Sequence, residues 1–264
     1  MSVSQGAILG LALAALISLA TPFVIYFFCR RRMDLPLRNI AIGAGIFILF
    51  ALVLESAMHL YFLKANPVTS AWLMHHTWGF MLYAAGAAAI FEETGRLIAF
   101  RFFAKRTGDA GTAVSYGIGH GGAESIIIGG LGQAQSIVFA LLLNAGKLRS
   151  TLGAKLPPAA YAKIHDALIH LDFPTALIGG GERVAAILLQ IALSLLVWRA
   201  VERKDWRWFA AALLLHAGMD SLAALYQHGA LSLMVVEGIV FAVGAVLLVF
   251  FIVRLPPRKA FPPA

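Results

Sequence analysis

Long apolar runs dominate this chain and limit it to one kind of fold. A run of about 20 apolar residues is long enough to cross a bilayer as an α-helix, and in hydrocarbon the backbone polar groups must be satisfied within the helix itself. We count about seven runs, at 6–28, 39–63, 71–99, 112–146, 180–198, 208–228 and 231–253. The sequence therefore predicts an all-α, polytopic transmembrane helical bundle of about seven spans.

The composition agrees with this interpretation. Of the 264 residues, 60% are hydrophobic and only 13% are charged, whereas a soluble domain carries roughly 25% charged residues. Nothing remains for a separate soluble domain, so residues 1–264 are predicted to form a single integral-membrane domain. The longest loop, 147–178, places Tyr161, Ile164, Leu168 and Leu171 on one helical face, which predicts a short interfacial helix.

The net charge of +8 is distributed as a topology signal and not as a nucleic-acid surface. Most of the 21 Lys and Arg side chains fall in segments that seven spans place on one side of the membrane, around 30–38, 101–106, 199–207 and 254–259. The positive-inside rule then predicts an external N-terminus and a cytoplasmic C-terminus. The expected surroundings are a lipid bilayer, with no nucleic-acid partner.

Three short motifs place ionisable side chains within or against the apolar runs. Such groups cost roughly a few kcal/mol each at membrane depth, so they usually face a partner or a water-filled cavity and mark a functional site. In each motif the end residues are four positions apart, which puts them on one face of a helix. The motifs are Glu92-Glu93-x-x-Arg96, His120-x-x-x-Glu124 and His216-x-x-x-Asp220.

The predicted topology brings these motifs to a common depth. Counting inward at about 1.5 Å per residue places Glu92, His120 and His216 about 10–15 Å below the cytoplasmic surface, with Glu124 and Asp220 one turn deeper. We therefore expect the three helices to converge on one wet chamber that opens to the cytoplasm. In such a chamber a carboxylate and an imidazole activate water, and a second imidazole stabilises an oxyanion. The alternative is that these groups only form buried hydrogen bonds between helices.

The segments FEETGR, GIGHGGAES and LLLHAGMDS resemble the signatures of intramembrane proteases of the CAAX-processing and PrsW clan, and their combination is most similar to the YhfC branch. The resemblance implies a general base, Glu92, assisted by His120, and an oxyanion site at His216 and Asp220. Glu93, Arg96 and Glu124 are expected to be supporting residues. The chain departs from the CAAX pattern in two places: Arg96 follows the Glu pair one residue early, and Asp220 stands where Asn is common.

The resemblance also implies a substrate and a location. The substrate is expected to be a membrane-anchored peptide or protein, cleaved within a bacterial inner membrane. Two His and a Glu are also a zinc ligand set, so a zinc site at Glu92, His120 and His216 stays open. The closer relatives favour a metal-free, glutamate-dependent mechanism without a cofactor. The alternative function is a proton- or cation-coupled transporter that uses the same buried groups as a relay, although we find no inverted repeat.

Two further features of the apolar runs carry structural predictions. Glu55 and His59 are four residues apart in the second run. They either line the same chamber or form an internally satisfied pair that bridges helices, and we favour the pair. The fourth run is unusually rich in glycine between 117 and 132, and small residues allow both close helix approach and local distortion.

Overall fold

The computed structural model describes residues 2–107 and 109–254, and within these ranges the chain forms helices and no β-strand. This confirms the all-α prediction. We number the described helices in chain order. They are α1 (Gln5–Cys29), α2 (Leu37–Ala65), α3 (Pro67–His75), α4 (Thr77–Ile98), α5 (Gly111–Asn144), α6 (Leu148–Leu152), α7 (Pro158–Ile169), α8 (Phe173–Arg203), α9 (Arg207–Gln227) and α10 (Leu233–Arg254).

Six helices in the described ranges are long and apolar enough to cross a membrane, namely α1, α2, α5, α8, α9 and α10. The protein is therefore a multi-pass integral membrane protein. The third apolar run corresponds to α4, which has 22 residues and is long enough to span. It is not among the six, and it carries three charged side chains close together, Glu92, Glu93 and Arg96. The number of seven spans and the orientation of the termini stay predictions.

Several long helices contain π-helical turns, which are uncommon and often lie at functional sites. They occupy Ile48–Glu55 and Tyr61–Ala65 in α2, Ala99–Phe103 after α4, and Ser125–Leu131 in α5. The turn in α5 begins directly after Glu124. The distortion predicted for the glycine-rich run is thus confirmed, as a widened helix rather than as an unwound one.

The described chain divides into two compact units. One consists of the residues up to Thr21 together with Ser125–Val184, and the other consists of Pro22–Glu124 and the residues from Ala185 onward. The boundaries fall within long helices. All residues of the three ionisable motifs belong to the second unit. That residues 1–264 act as a single domain stays a prediction.

The first unit contains the predicted loop helix. This helix is α7, and its Leu168 is buried in an apolar cluster with Val3, Ala140 and Leu148. The side chain of Asn144 holds the backbone of Val3 in place beside this cluster. Its Oδ1 accepts a hydrogen bond from Val3 N at 2.7 Å, and its Nδ2 donates to Val3 O at 2.9 Å. The helix is confirmed, and its place at the membrane interface stays a prediction.

The second unit is built on two helix pairs. Leu37–Phe47 of α2 packs along Gly111–Glu124 of α5, and α9 packs along α4. Buried apolar side chains from these helices and from α8 form the core between them, including Tyr116 and Leu193. Because lipid tails are as apolar as leucine, such packing is stabilised by close van der Waals contact rather than by exclusion of water.

Glycines permit the close approach of α2 and α5. A methyl group on Gly43 would overlap the backbone of α5 at Tyr116, and one on Gly119 would overlap the backbone of α2 at Ile40. On another face of α5, a Cβ atom on Gly121 would lie 2.9 Å from Cβ of Gln190 in α8. The glycine-rich segment therefore carries His120 between two closely packed helices.

Candidate active site

Three helices bring their ionisable side chains to one point in the second unit. Glu92 comes from α4, His120 from α5 and His216 from α9, and none of the three is more than 7% exposed. Oε2 of Glu92 lies 2.8 Å from Nε2 of His120 and 3.8 Å from Nε2 of His216. The convergence expected from the common depth of the motifs is present, while the catalytic roles of these residues stay predictions.

The imidazole of His120 is held on several sides. Its residue lies in a stretch of α5, from Gly111 to Gly122, that is wholly buried. The ring of Phe47 meets it edge-on at a centroid distance of 5.3 Å, and the hydroxyl of Tyr116 lies 3.4 Å from Nδ1. Tyr116 is one helical turn before His120 on the same face. These contacts direct Nε2 towards Glu92.

Arg96 pairs with the second glutamate of its motif. Its Nε lies 3.2 Å from Oε2 of Glu93, three residues away, and neither side chain has exposed surface. The other oxygen of Glu93 accepts a hydrogen bond of 2.7 Å from Nδ1 of His216. Neighbouring residues on a helix point about 100° apart, so Glu92 faces α5 while Glu93 faces α9. Of the two glutamates, Glu93 is therefore the one that Arg96 contacts directly.

The far side of Arg96 is held by α8. Nη1 donates to the backbone oxygen of Gln190 and to Oγ of Ser194, both at 2.7 Å, and Nη2 donates to Oε1 of Gln190 at 2.5 Å. Neither Gln190 nor Ser194 belongs to the three motifs from which the site was predicted. A signal was present, because Gln190 and Ser194 are polar, lie four positions apart and interrupt the apolar run 180–198.

The deeper carboxylates differ in what they contact. Oδ2 of Asp220 lies 3.4 Å from Nε2 of His216, as the spacing of their motif indicates, and 38% of its side chain is exposed. Glu124 is also four residues from its histidine. Its carboxylate, however, accepts a hydrogen bond of 3.0 Å from Nε2 of Gln190 on α8. The i,i+4 spacing thus corresponds to a direct contact between His216 and Asp220 in α9. In α5 the carboxylate of Glu124 instead contacts Gln190 of a neighbouring helix.

The pair in α2 forms the predicted bridge between helices. Nε2 of His59 lies 3.1 Å from Oε1 of Glu55, and Nδ1 lies 2.7 Å from the hydroxyl of Tyr83 on α4. Both ring nitrogens of His59 therefore have partners, and the interpretation as an internally satisfied pair is confirmed.

The donor atoms around His216 fit a bound cation. With Nδ1–H bonded to Glu93, a neutral His216 presents the lone pair of Nε2 to carboxylate oxygens of Asp220 at 3.4 Å and Glu92 at 3.8 Å. Acceptors that face one another in this way need a proton between them, on His216 or on a carboxyl group, or a metal ion. Imidazole nitrogens and carboxylate oxygens are the ligands of many catalytic zinc sites, and a carboxylate on the second ring nitrogen is a usual support for such a ligand.

The residue types suit a metal ion, but the described side chains are not arranged around a metal position. Across residues 2–107 and 109–254, no three His, Cys, Asp or Glu side chains surround a single position in the manner of a metal site. Glu92 and His120 instead lie at hydrogen-bonding distance from each other. Glu92, His120 and His216 are the residues that would hold a metal, with Glu93 as the carboxylate behind His216.

Comparison with known proteins gives a consistent result. A family model described as "YhfC intramembrane metalloprotease" matches residues 17–241, which include all three motifs. The "Uncharacterized membrane protein YhfC" of Bacillus subtilis (strain 168) is 36% identical over 252 residues, which cover 96% of this chain and 97% of that protein. No solved structure matches the chain. The resemblance seen in the motifs is confirmed, and the chain belongs to the YhfC intramembrane metalloprotease family.

Proposed function

We propose that this protein hydrolyses peptide bonds of membrane-anchored or membrane-associated substrates at the cluster of Glu92, His120 and His216. One observation carries the proposal: three separate helices place the reactive atoms of these side chains within 3.8 Å of one carboxylate oxygen. Burying ionisable side chains is costly, so such side chains are usually retained because the function requires them. The family to which the chain belongs supports peptide hydrolysis as that function.

In this proposal Glu92 takes the proton of the attacking water. His120, hydrogen-bonded to Glu92 at 2.8 Å, orients the carboxylate and helps to return the proton to the leaving amine. His216 on α9 faces the same oxygen. With a proton on Nε2 it donates to the negative charge that develops on the substrate carbonyl, while Asp220 orients the ring.

Glu93 and Arg96 act behind the reacting groups. The carboxylate of Glu93 accepts Nδ1–H of His216 and aims Nε2 at the reaction centre, where a second proton, on Nε2, makes the ring the donor that an oxyanion requires. Arg96 neutralises Glu93 and ties it to α8, so the imidazole is held without rearrangement during the reaction. Such preorganisation is the usual task of a third group behind a catalytic histidine.

The family description favours the zinc alternative over the metal-free mechanism that the motif resemblance indicated. The donor set around Glu92, His120 and His216 supports it too. When bound, a zinc ion would supply a Lewis acid that lowers the pKa of water and polarises a carbonyl. The contact of Glu93 with Nδ1 of His216 serves either mechanism, because it leaves Nε2 for the reaction centre or for a metal ion.

A reconstituted cleavage assay tests the proposal. The purified protein is placed in liposomes with quenched fluorescent peptides that contain an apolar membrane-spanning segment. We expect the wild type to cut, and Glu92→Ala, His120→Ala and His216→Ala each to lose at least about 100-fold in kcat, the loss typical of removing a catalytic proton carrier. Glu202→Gln and His76→Ala are matched controls, because their side chains lie at exposed positions outside the cluster.

The controls should cut like the wild type. Absence of cleavage by the wild type, or equal cleavage by all variants, contradicts the proposal. Proton-gradient-driven uptake into the same liposomes, abolished by Glu92→Ala, would support the transporter alternative instead.

A further inference from the structure

We propose that Gln190 is a positioning residue that couples Glu92 to Glu124, a role that rests on the proteolytic function proposed above. Its amide nitrogen donates to Oε2 of Glu92 at 3.3 Å and to Oε2 of Glu124 at 3.0 Å. Gln190 is only 4% exposed, so water does not compete freely for these contacts. A single side chain from α8 thereby contacts one carboxylate on α4 and another on α5.

Arg96 determines which way the amide of Gln190 points. Its guanidinium has only donors, and Nη2 donates to Oε1 of Gln190. The amide oxygen must therefore face Arg96, and both amide N–H groups are left to face the carboxylates. The reverse orientation would set N–H groups against a guanidinium and an oxygen against two carboxylates, which the hydrogen-bond network excludes.

A neutral donor suits this position. A lysine or arginine here would hold the carboxylates by charge and make Glu92 a weaker proton acceptor, whereas an amide orients Glu92 and leaves it able to accept a proton. The same amide also donates to Glu124 and so keeps this carboxylate beside the cluster. Gln190 therefore sets the orientation of the base and brings a further carboxylate within one hydrogen bond of it.

Gln190→Glu separates positioning from a purely structural role. The substitution keeps an acceptor for Arg96, and so preserves the anchor, but it replaces the amide donor by an oxygen that faces Glu92 and Glu124. If Gln190 only anchored Arg96, the variant would keep its activity. We expect kcat for peptide cleavage in liposomes to fall roughly 10- to 100-fold, the size of a lost hydrogen bond to a charged group. KM should change little, because the proposed role of Gln190 involves Glu92, Glu124 and Arg96 and no contact with the substrate.

Two further variants complete the test. Gln190→Met removes both the donors and the acceptor of the side chain. Ser194→Ala removes one contact of Arg96 but none of Glu92 or Glu124. Ser194→Ala should therefore lose less activity than Gln190→Glu. A double-mutant cycle of Gln190→Met with Glu124→Gln is followed in kcat and in the thermal unfolding temperature. Residues that share a hydrogen bond give non-additive effects, and we expect Glu124→Gln to cost less once Gln190 is gone.

Wild-type kcat in Gln190→Glu, or additive effects in both measurements of the cycle, would overturn this inference. Failure of the proposed function looks different, since it requires that the wild type does not cut or that Glu92→Ala cuts equally well. The unfolding cycle remains readable in that case, because it does not depend on activity.

Discussion

Nε of Arg96 lies 3.2 Å from Oε2 of Glu93, and both side chains are completely buried. The relationship explains why two adjacent glutamates occur in this motif. Glu92 points to His120, while Glu93 supports His216 and is neutralised by Arg96. One helix thus supplies a reacting carboxylate and a supporting carboxylate from consecutive positions.

Arg96→Met should destabilise the protein strongly. The substitution leaves Glu93 as a buried charge without its partner, which typically costs about 3–5 kcal/mol. Arg96→Lys should recover only part of this, because an ammonium group cannot reproduce the fork of contacts to Gln190 and Ser194. The measurement is thermal unfolding in detergent.

The control for Arg96 is Arg106→Met. Arg106 lies 3.4 Å from Glu202, and both side chains are well exposed. An exposed pair contributes at most about 1 kcal/mol, so the unfolding temperature should hardly change. Equal effects of Arg96→Met and Arg106→Met would contradict the assigned burial of Arg96.

A strong chelator should abolish peptide cleavage. We expect 1,10-phenanthroline to inactivate the protein and added Zn²⁺ to restore it, because Glu92, His120 and His216 are of the residue types that bind catalytic zinc and the family is described as a metalloprotease. The non-chelating 1,7-isomer is the control. Metal analysis should find zinc in the wild type and much less in His120→Ala and His216→Ala. Full activity in a metal-free sample would instead support the metal-free, glutamate-dependent mechanism.

Asp220→Asn should keep more activity than Asp220→Leu. Oδ2 of Asp220 lies 3.4 Å from Nε2 of His216, and an amide at that position still offers polar contact to His216 and to an oxyanion. Loss of one oxyanion contact typically costs about 100- to 1,000-fold in kcat, so we expect a loss of this order for Asp220→Leu and a smaller one for Asp220→Asn. If Asp220→Asn is as inactive as Asp220→Leu, activity requires the carboxyl group of Asp220 and not only a polar contact at that position.

Gly43→Ala and Gly45→Ala should have opposite effects on stability. A methyl group on Gly43 overlaps the backbone of α5, whereas nothing lies within 4 Å of a methyl group on Gly45. Forcing α2 and α5 apart should cost about 1–3 kcal/mol, while alanine is favoured over glycine within a helix by roughly 0.5–1 kcal/mol. Unfolding temperatures of the two variants test this, and equal shifts would argue against close packing at Gly43.

Much of the architecture followed from local chemistry. Apolar runs of bilayer length dictate helices, and charges placed in those runs reveal which helix faces need partners. The common depth of Glu92, His120 and His216 was enough to predict that they converge. Composition does not decide the number of spans, because α4 is long enough to span yet carries Glu92, Glu93 and Arg96 close together and is not among the six candidate spans.

The choice of partners was decided only by tertiary structure. Sequence spacing indicates that Arg96 lies near both glutamates and that Glu124 shares a face with His120, yet Arg96 contacts Glu93 and Glu124 contacts Gln190. Spacing specifies a direction around one helix axis, whereas a hydrogen bond also requires a second helix at the right distance. That distance depends on the glycine contacts between helices, so a residue such as Gln190 acquires its meaning only once α8 is packed beside α5.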